Sequence, residues 1–379
     1  MSLFTRKGNE RMEPAKIDRF QLICLTLLFE MGTSLVLPFA VSLQNDAWIP
    51  MFIGCLGGIV LFLIHYRLFL YYPKELPTTY FMKIIGKYPG KLLGFIYILY
   101  FTYLSAMVLR GFGELLISFT YSKTPMVIIN LMMIILAIYA IRHGIEVIAR
   151  AGELYLIFIF FIGIIGFVMV IFSGLIDLNN LKPVLNHSWR EIFREVGKQT
   201  LYVPYGELIA ITYLLPYLNE VKRVPWLAGG TILLGGIILT ATTIINIAVL
   251  TAGYFTTSNF PLLATIQLIN IADFLERLDV FFLIAVFVGA LFKITIFFYA
   301  AVIASTEWIR SKDHRILVYP FGIIIFTFSL LIANSYQEHI TEGLNVVPKV
   351  LHIPLQVIIP LLLFSVAVWR NRKKNPHRG

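Results

Sequence analysis

Apolar runs long enough to cross a bilayer recur from one end of the chain to the other, and this constrains the fold more than any single motif. A span takes about 20 apolar residues as a helix. In lipid the backbone must satisfy its own N–H and C=O groups, so such runs fold as helices packed side by side. Ten runs can be marked, at about 18–42, 48–70, 92–118, 125–142, 145–174, 200–218, 225–252, 279–308, 316–334 and 353–370. The chain is 58% hydrophobic and 14% charged, with a mean hydropathy of +0.81, far from the balance of a soluble domain. No soluble domain fits between the runs, so residues 1–379 read as one all-α polytopic membrane domain.

The formal charge of +10 does not point to nucleic acid, because the basic residues sit in short clusters between the apolar runs. An even number of spans places both termini on one side. That side receives 22 of the 31 Lys and Arg residues, among them Arg6, Lys7, Arg11, Lys16 and Arg19 before or at the first span. The other side receives 7, and Arg110 and Lys293 fall inside spans. The excess assigns both termini to the cytoplasm. The first run lacks a convincing cleavage site and reads as a retained helix rather than a signal peptide.

Catalytic and metal motifs do not appear. Cys24 and Cys55 each lie within an apolar run without a CxxC or a His at metal spacing, and read as small core residues. There is no HExxH, GxGxxG or Ser/His/Asp set in a plausible place. GKYPGK (86–91) is too short for a phosphate loop and has Leu92 where a Ser or Thr would hold a metal. The reading is therefore not an enzyme, with no cofactor and no metal.

Three segments between spans have patterns of their own. SWREIFREVGK (188–198) sets Trp189, Ile192, Phe193 and Val196 on one helical face, and Ser188 with Glu191 fits a capping box, which predicts a short helix on the outer interface. LPTTYFMKIIGKYPGK (76–91) predicts a similar cytoplasmic piece, and NFPLLATIQLINIADFLERLD (259–279) an outer helix over the bundle. Each also reads as a simple connector.

Two spans carry features that an uninterrupted helix avoids. The sixth, TLYVPYGELIAITYLLPY (200–217), holds Pro204, Gly206 and Glu207 at its middle. The first, FQLICLTLLFEMGTSLVLPFA (20–40), holds Glu30 and Gly32 at its middle, followed by Thr33 and Ser34. A proline removes a backbone donor, and a carboxylate in hydrocarbon is costly. Interrupted helices five spans apart point to an inverted-repeat fold of five helices plus five, with the repeats at about 18–174 and 200–370 and a binding site at the midplane. Half-helix N-termini suit carboxylates, and freed carbonyls suit an ammonium or a cation. The alternative is that Gly32 only allows close packing and Pro204 only kinks the helix.

Lys293 lies about fourteen residues from either end of the eighth span, too deep to snorkel, so it needs a partner or a wet cavity. Glu30 and Glu207 are the acids at that depth, and a purely structural ion pair is the alternative to a switch. Tyr97, Tyr100 and Tyr103 share much of one face of the third span, for packing first and pocket lining second. Arg110 and Glu114 are spaced for an intrahelical pair. Glu146, Arg150 and Glu153 read as a local network, and Glu276, Arg277 and Asp279 flank the outer start of the eighth span.

An ordered set of short motifs covers nearly the whole chain: DRFQL (18–22), GTSLVLP (32–38), DAWI (46–49), YP (72–73), PGKLLG (89–94), TP (124–125), GIEVIAR (144–150), LKPVL (181–185), PYGE (204–207), FP (260–261), ERLDVFF (276–282) and Lys293. With these the chain resembles the permease-like B subunits of spore germinant receptors, a branch of the amino acid, polyamine and organocation transporter superfamily. The resemblance implies ten helices in the fold of sodium-coupled amino-acid transporters. It implies a subunit that senses a small nutrient germinant beside a larger membrane A subunit and a lipoprotein C subunit in the spore inner membrane. Carried over by position, Met31, Gly32, Thr33, Tyr205, Gly206, Glu207, Phe292 and Lys293 would line the pocket, with Tyr103 beside them. Glu30 and Met31 depart from the small residues commonest at the first break. Three functions stay open: a nutrient sensor, a secondary amino-acid or amine transporter coupled to protons through Glu30 or Glu207, and a structural or water-conducting subunit.

Overall fold

The computed structural model describes residues 15–119, 121, 123–219, 224–269 and 278–374. Arg6, Lys7 and Arg11, the 270–277 part of the outer segment, and with it Glu276 and Arg277, lie outside the described residues, as does the Asp279 side chain. Helices follow in the order α1 (Arg19–Met31), α2 (Trp48–Tyr71), α3 (Pro77–Ile85), α4 (Lys87–Phe119), α5 (Met126–His143), α6 (Ile145–Phe172) and α7 (Trp189–Glu195). An irregular helical segment, 196–217, leads on to α8 (Val224–Thr257), α9 (Pro261–Gln267), α10 (Leu278–Ile309), α11 (Arg315–Leu331), α12 (Tyr336–Thr341) and α13 (Ile359–Lys374). Among the described residues, seven helical stretches are long and apolar enough to cross a membrane, and α11 is a shorter apolar helix. The first and sixth runs are missing from the seven because each is broken: α1 stops after 13 residues, and 196–217 contains no regular α-helix.

The exposed surface is what a lipid solvent selects. On α6, Leu154, Ile157, Phe161 and Phe172 are each more than 60% exposed, and apolar residues surround the helix. Such a face is stable only against hydrocarbon or another apolar surface. The protein is an integral membrane protein with an all-helical core.

Several sequence motifs turn out to be caps and clamps. Within DRFQL, the Asp18 carboxylate accepts from Gln21 N–H at 2.8 Å, and the Gln21 side chain accepts from Asp18 N–H at 3.0 Å, a capping box that starts α1. In DAWI the buried Asp46 accepts backbone N–H groups of Leu185 (2.7 Å) and His187 (3.0 Å), which pins the LKPVL loop. Ser188 and Glu191 form the expected box at α7, and the Ser188 hydroxyl and N–H hold the Glu191 carboxyl below the usual range.

Ile17 and Leu218 form a parallel bridge, with Ile17 N–H donating to Tyr217 O at 3.0 Å and Asn219 N–H to Ile17 O at 3.1 Å. The start of α1 is thereby tied to the end of 196–217, so the two broken segments leave and arrive at the same level. Around them α10 packs on α4, α2 on α8, and α1 on both α6 and α8.

Three expectations need correction. The tenth run does not begin at 353: helix is continuous over Tyr336–Asn371, with wide π-type turns at Glu342–Val346 and Pro348–Ile358. Pro348 and Pro354 lack the N–H of a regular ladder, and the wide turns let the helix continue past them. Segment 76–91 is split, since Gly86 at φ +99° ends α3 and α4 starts at Lys87. The α7 face also divides, with Ile192 and Val196 buried and Trp189 and Phe193 exposed, a placement that suits aromatics at a membrane interface.

Candidate functional site

The first break forms where α1 meets the middle of α10. Gly32 N–H makes the last helical bond, to Leu28 O at 3.0 Å, and a single tight turn, Thr33–Leu35, follows. A Cβ on Gly289 would stand 3.0 Å from Gly32 Cα, and one on Gly32 would stand 3.1 Å from the Lys293 side chain and 3.3 Å from Gly289 O. Backbone therefore lies against backbone, and a methyl at either position would force its neighbours to give by a few tenths of an ångström.

The second break has a different cause. Val203 is extended, at φ −118° and ψ 119°, as the residue before a proline prefers. Wide π-type turns precede it and tight 3₁₀ turns, Gly206–Tyr213, follow, with Glu207 in their first turn. Glu207 thereby reaches α10, where its Oε2 lies 2.7 Å from Lys293 Nζ. The two side chains are 6% and 1% exposed. The contact is a buried ion pair. Lys293 also donates to Ser34 Oγ at 3.5 Å and lies 5.4 Å from the centre of the Phe29 ring. Of the two acids, Lys293 thus pairs with Glu207.

Glu30 is fully buried and turned toward α8, where a Cβ at Gly235 would stand 2.6 Å from its carboxyl carbon. Neither of its oxygens has a hydrogen-bond partner among the described residues.

A cavity of about 60 Å³ opens beside the ion pair, with Glu207, Lys293, Thr33 and His352 on its inner wall and His339 and Tyr336 farther along. By the measure that one water needs roughly 10–15 Å³, it holds a few waters, and a nutrient molecule requires it to widen. Behind His352 lies a polar cluster. Tyr100 Oη is 2.7 Å from His352 Nδ1, Gln356 Nε2 is 2.7 Å from Tyr100 Oη, and Tyr97 donates to Leu355 O at 2.5 Å.

Of the residues named from sequence, Thr33, Glu207 and Lys293 line the cavity and Gly32 backs it. Met31 instead faces an apolar crevice of about 300 Å³ between α6, α8 and α10. Tyr205 packs on Gly58 of α2, Gly206 on the Gln356 side chain, and Phe292 on Tyr155 of α6 at a ring distance of 5.9 Å. Tyr103 is half-buried and does not line the cavity. Arg110 pairs with Glu114 at 2.6 Å, and Arg150 with Glu146 at 3.9 Å. Sequence reasoning missed His352 and Gln356. HIPLQ (352–356) sets a His and a Gln four apart in an apolar run, a signal available in the sequence but split by a boundary at 353.

A sequence-family profile described as "Spore germination protein" matches residues 16–337. The chain belongs to this family. Spore germination protein KB of Bacillus subtilis (strain 168) is 41% identical over 368 residues, 97% of this chain and 99% of that protein. Spore germination protein YndE of the same organism is 27% identical over 352 residues, 89% of this chain and 92% of that one. Among solved structures, MhsT in complex with L-phenylalanine aligns with a TM-score of 0.68 over 94% of this chain and 89% of its own, at 15% identity. At that identity the likeness shows a shared fold and nothing about ligands.

Proposed function

We propose that this family member is the permease-like B subunit of a spore germinant receptor. It binds a small nutrient germinant, an amino acid or similar molecule, at the midplane cavity and passes the signal to a larger membrane A subunit and a lipoprotein C subunit. In this reading ten spans form two inverted repeats, about 18–174 and 200–370, both termini are cytoplasmic, and the membrane is the spore inner membrane. The parallel bridge between Ile17 and Leu218, which ties the start of the first broken span to the end of the second, supports their pairing.

The observation that carries the reading is the Glu207–Lys293 pair, buried at 2.7 Å and on the wall of a mostly apolar cavity at the second break. A ligand carboxylate competes for the ammonium and a ligand amine for the carboxylate. Binding then shifts a two-state equilibrium by its differential affinity for the two states, and the partner subunits read the shift.

The test uses spores in which this chain, with its A and C partners, is the sole nutrient receptor. They should germinate with one class among amino acids, sugars and nucleosides, and Lys293→Met should abolish or retune the response. Normal germination with Lys293→Met at wild-type amounts in the membrane contradicts the reading. A second reading, a proton-coupled secondary amino-acid or amine transporter, is favoured by one observation: the buried Glu30 carboxyl has no hydrogen-bond partner among the described residues. Substrate uptake into vesicles by the purified protein distinguishes the two.

A further inference from the structure

His352 sits on the wide turns Pro348–Ile358, an irregularity that recurs at functional sites. Its residue is 1% exposed, and its ring lines the same cavity as Glu207 and Lys293. The Nδ1 edge is fully engaged: Tyr100 Oη lies at 2.7 Å and Gln356 Nε2 at 3.1 Å. Gln356 Nε2 also donates to Tyr100 Oη at 2.7 Å. An amide nitrogen only donates, so Tyr100, accepting from Gln356, turns its own O–H to Nδ1. Nδ1 is then the acceptor, the proton belongs on Nε2, and Nε2–H is the one polar group the ring has left. His65 braces the arrangement from α2, with Nε2 3.2 Å from Gln356 O.

We infer that His352 is a ligand-contacting residue, a fixed Nε2–H donor that takes an acceptor oxygen of the germinant, with Tyr100 and Gln356 as its positioning residues. This rests on the ligand reading above and deepens it. The inner wall of the cavity then offers the Lys293 ammonium, the Thr33 hydroxyl and the His352 Nε2–H as donors, against the Glu207 carboxylate as charged acceptor, with His339 and Tyr336 farther along. That inventory fits a molecule with at least one hydroxyl, carbonyl or carboxylate oxygen besides the group that meets the ion pair. It does not fit a bare amine. A ring locked from behind is also a specificity device, because a ligand lacking the oxygen leaves a buried donor unpaired.

Two measurements test this on the full-length protein in detergent. First, ¹⁵N NMR of histidine-labelled protein assigns His352 by the signal lost in His352→Gln. The wild type should show the Nε2–H tautomer, and removing both donors to Nδ1, in Tyr100→Phe with Gln356→Leu, should shift the balance toward Nδ1–H. An Nδ1–H tautomer in the wild type would mean that the Gln356 amide sits the other way round, and would overturn the donor assignment whether or not any ligand is known. Second, thermal shift is followed with the twenty amino acids, common monosaccharides and nucleosides as probes. For a probe that stabilises the wild type, His352→Leu should weaken apparent affinity about tenfold or more, as loss of a buried hydrogen bond does. His352→Gln, which keeps a donor, should recover part of it. Equal affinity in wild type and His352→Leu overturns the contact. If no probe stabilises the wild type, the ligand reading itself loses support, while the tautomer measurement still decides the geometry at His352.

Discussion

The two breaks place two buried carboxyl groups within one bundle and treat them oppositely. At the first, glycine meets glycine, the interruption is short, and Glu30 lies against Gly235 with no hydrogen-bond partner among the described residues. At the second, a proline, an extended residue and two kinds of non-α turn carry Glu207 to 2.7 Å from Lys293. The first break is a packing solution, made by removing side chains so that α1 can touch α10. The second is an electrostatic one, made by reshaping the backbone so that an acid reaches a base. Depth in the membrane therefore does not by itself assign a role to a carboxylate; the partner does.

Substitutions can break that contrast or sharpen it. Lys293→Met leaves Glu207 buried without its counter-charge and should destabilise the protein by about 3–5 kcal/mol, with Glu207→Gln nearly as severe. The double variant should be less destabilised than the sum of the singles, which thermal unfolding in detergent would measure as a coupling of roughly 1–3 kcal/mol. Purely additive losses would mean that the pair contributes nothing. At the first break, Gly289→Ala pushes a methyl to 3.0 Å from Gly32 Cα and should cost about 1–3 kcal/mol through overpacking alone. Ser188→Ala removes the cap of α7, which feeds straight into the second break, at about 1 kcal/mol by the same assay. Smallest should be Glu30→Gln, which replaces a carboxyl that has no hydrogen-bond partner among the described residues and should change stability by less than about 1 kcal/mol. A loss as large as that of Glu207→Gln would show that Glu30 is held by something the contrast leaves out.

Much of this was legible in the residues. Gly32, Pro204, Glu207 and Lys293 violate the rules of a lipid-embedded helix, and violations of that size have local causes. The directions of neighbouring side chains were not legible. A break resets the helical phase, so Met31 and Tyr205, each beside a residue that lines or backs the cavity or its break, face the apolar crevice and α2 rather than the cavity. Phe292 lies a third of a turn from Lys293 and packs on α6. His352 was hidden for another reason: the apolar run read as the tenth span starts at 353, one residue past it, whereas wide turns carry the helix through Pro348 and Pro354.

The account turns on whether the Glu207–Lys293 pair answers to a ligand. The most direct measurement is the thermal shift of the purified protein against amino acids, sugars and nucleosides, run in parallel on wild type and Glu207→Gln. A compound at about 100 times its dissociation constant stabilises a protein by about 2.7 kcal/mol, well within detection. The account predicts that one chemical class stabilises the wild type and that the effect disappears in Glu207→Gln. Equal stabilisation of both proteins would contradict it, because the ligand would then bind without reference to the pair.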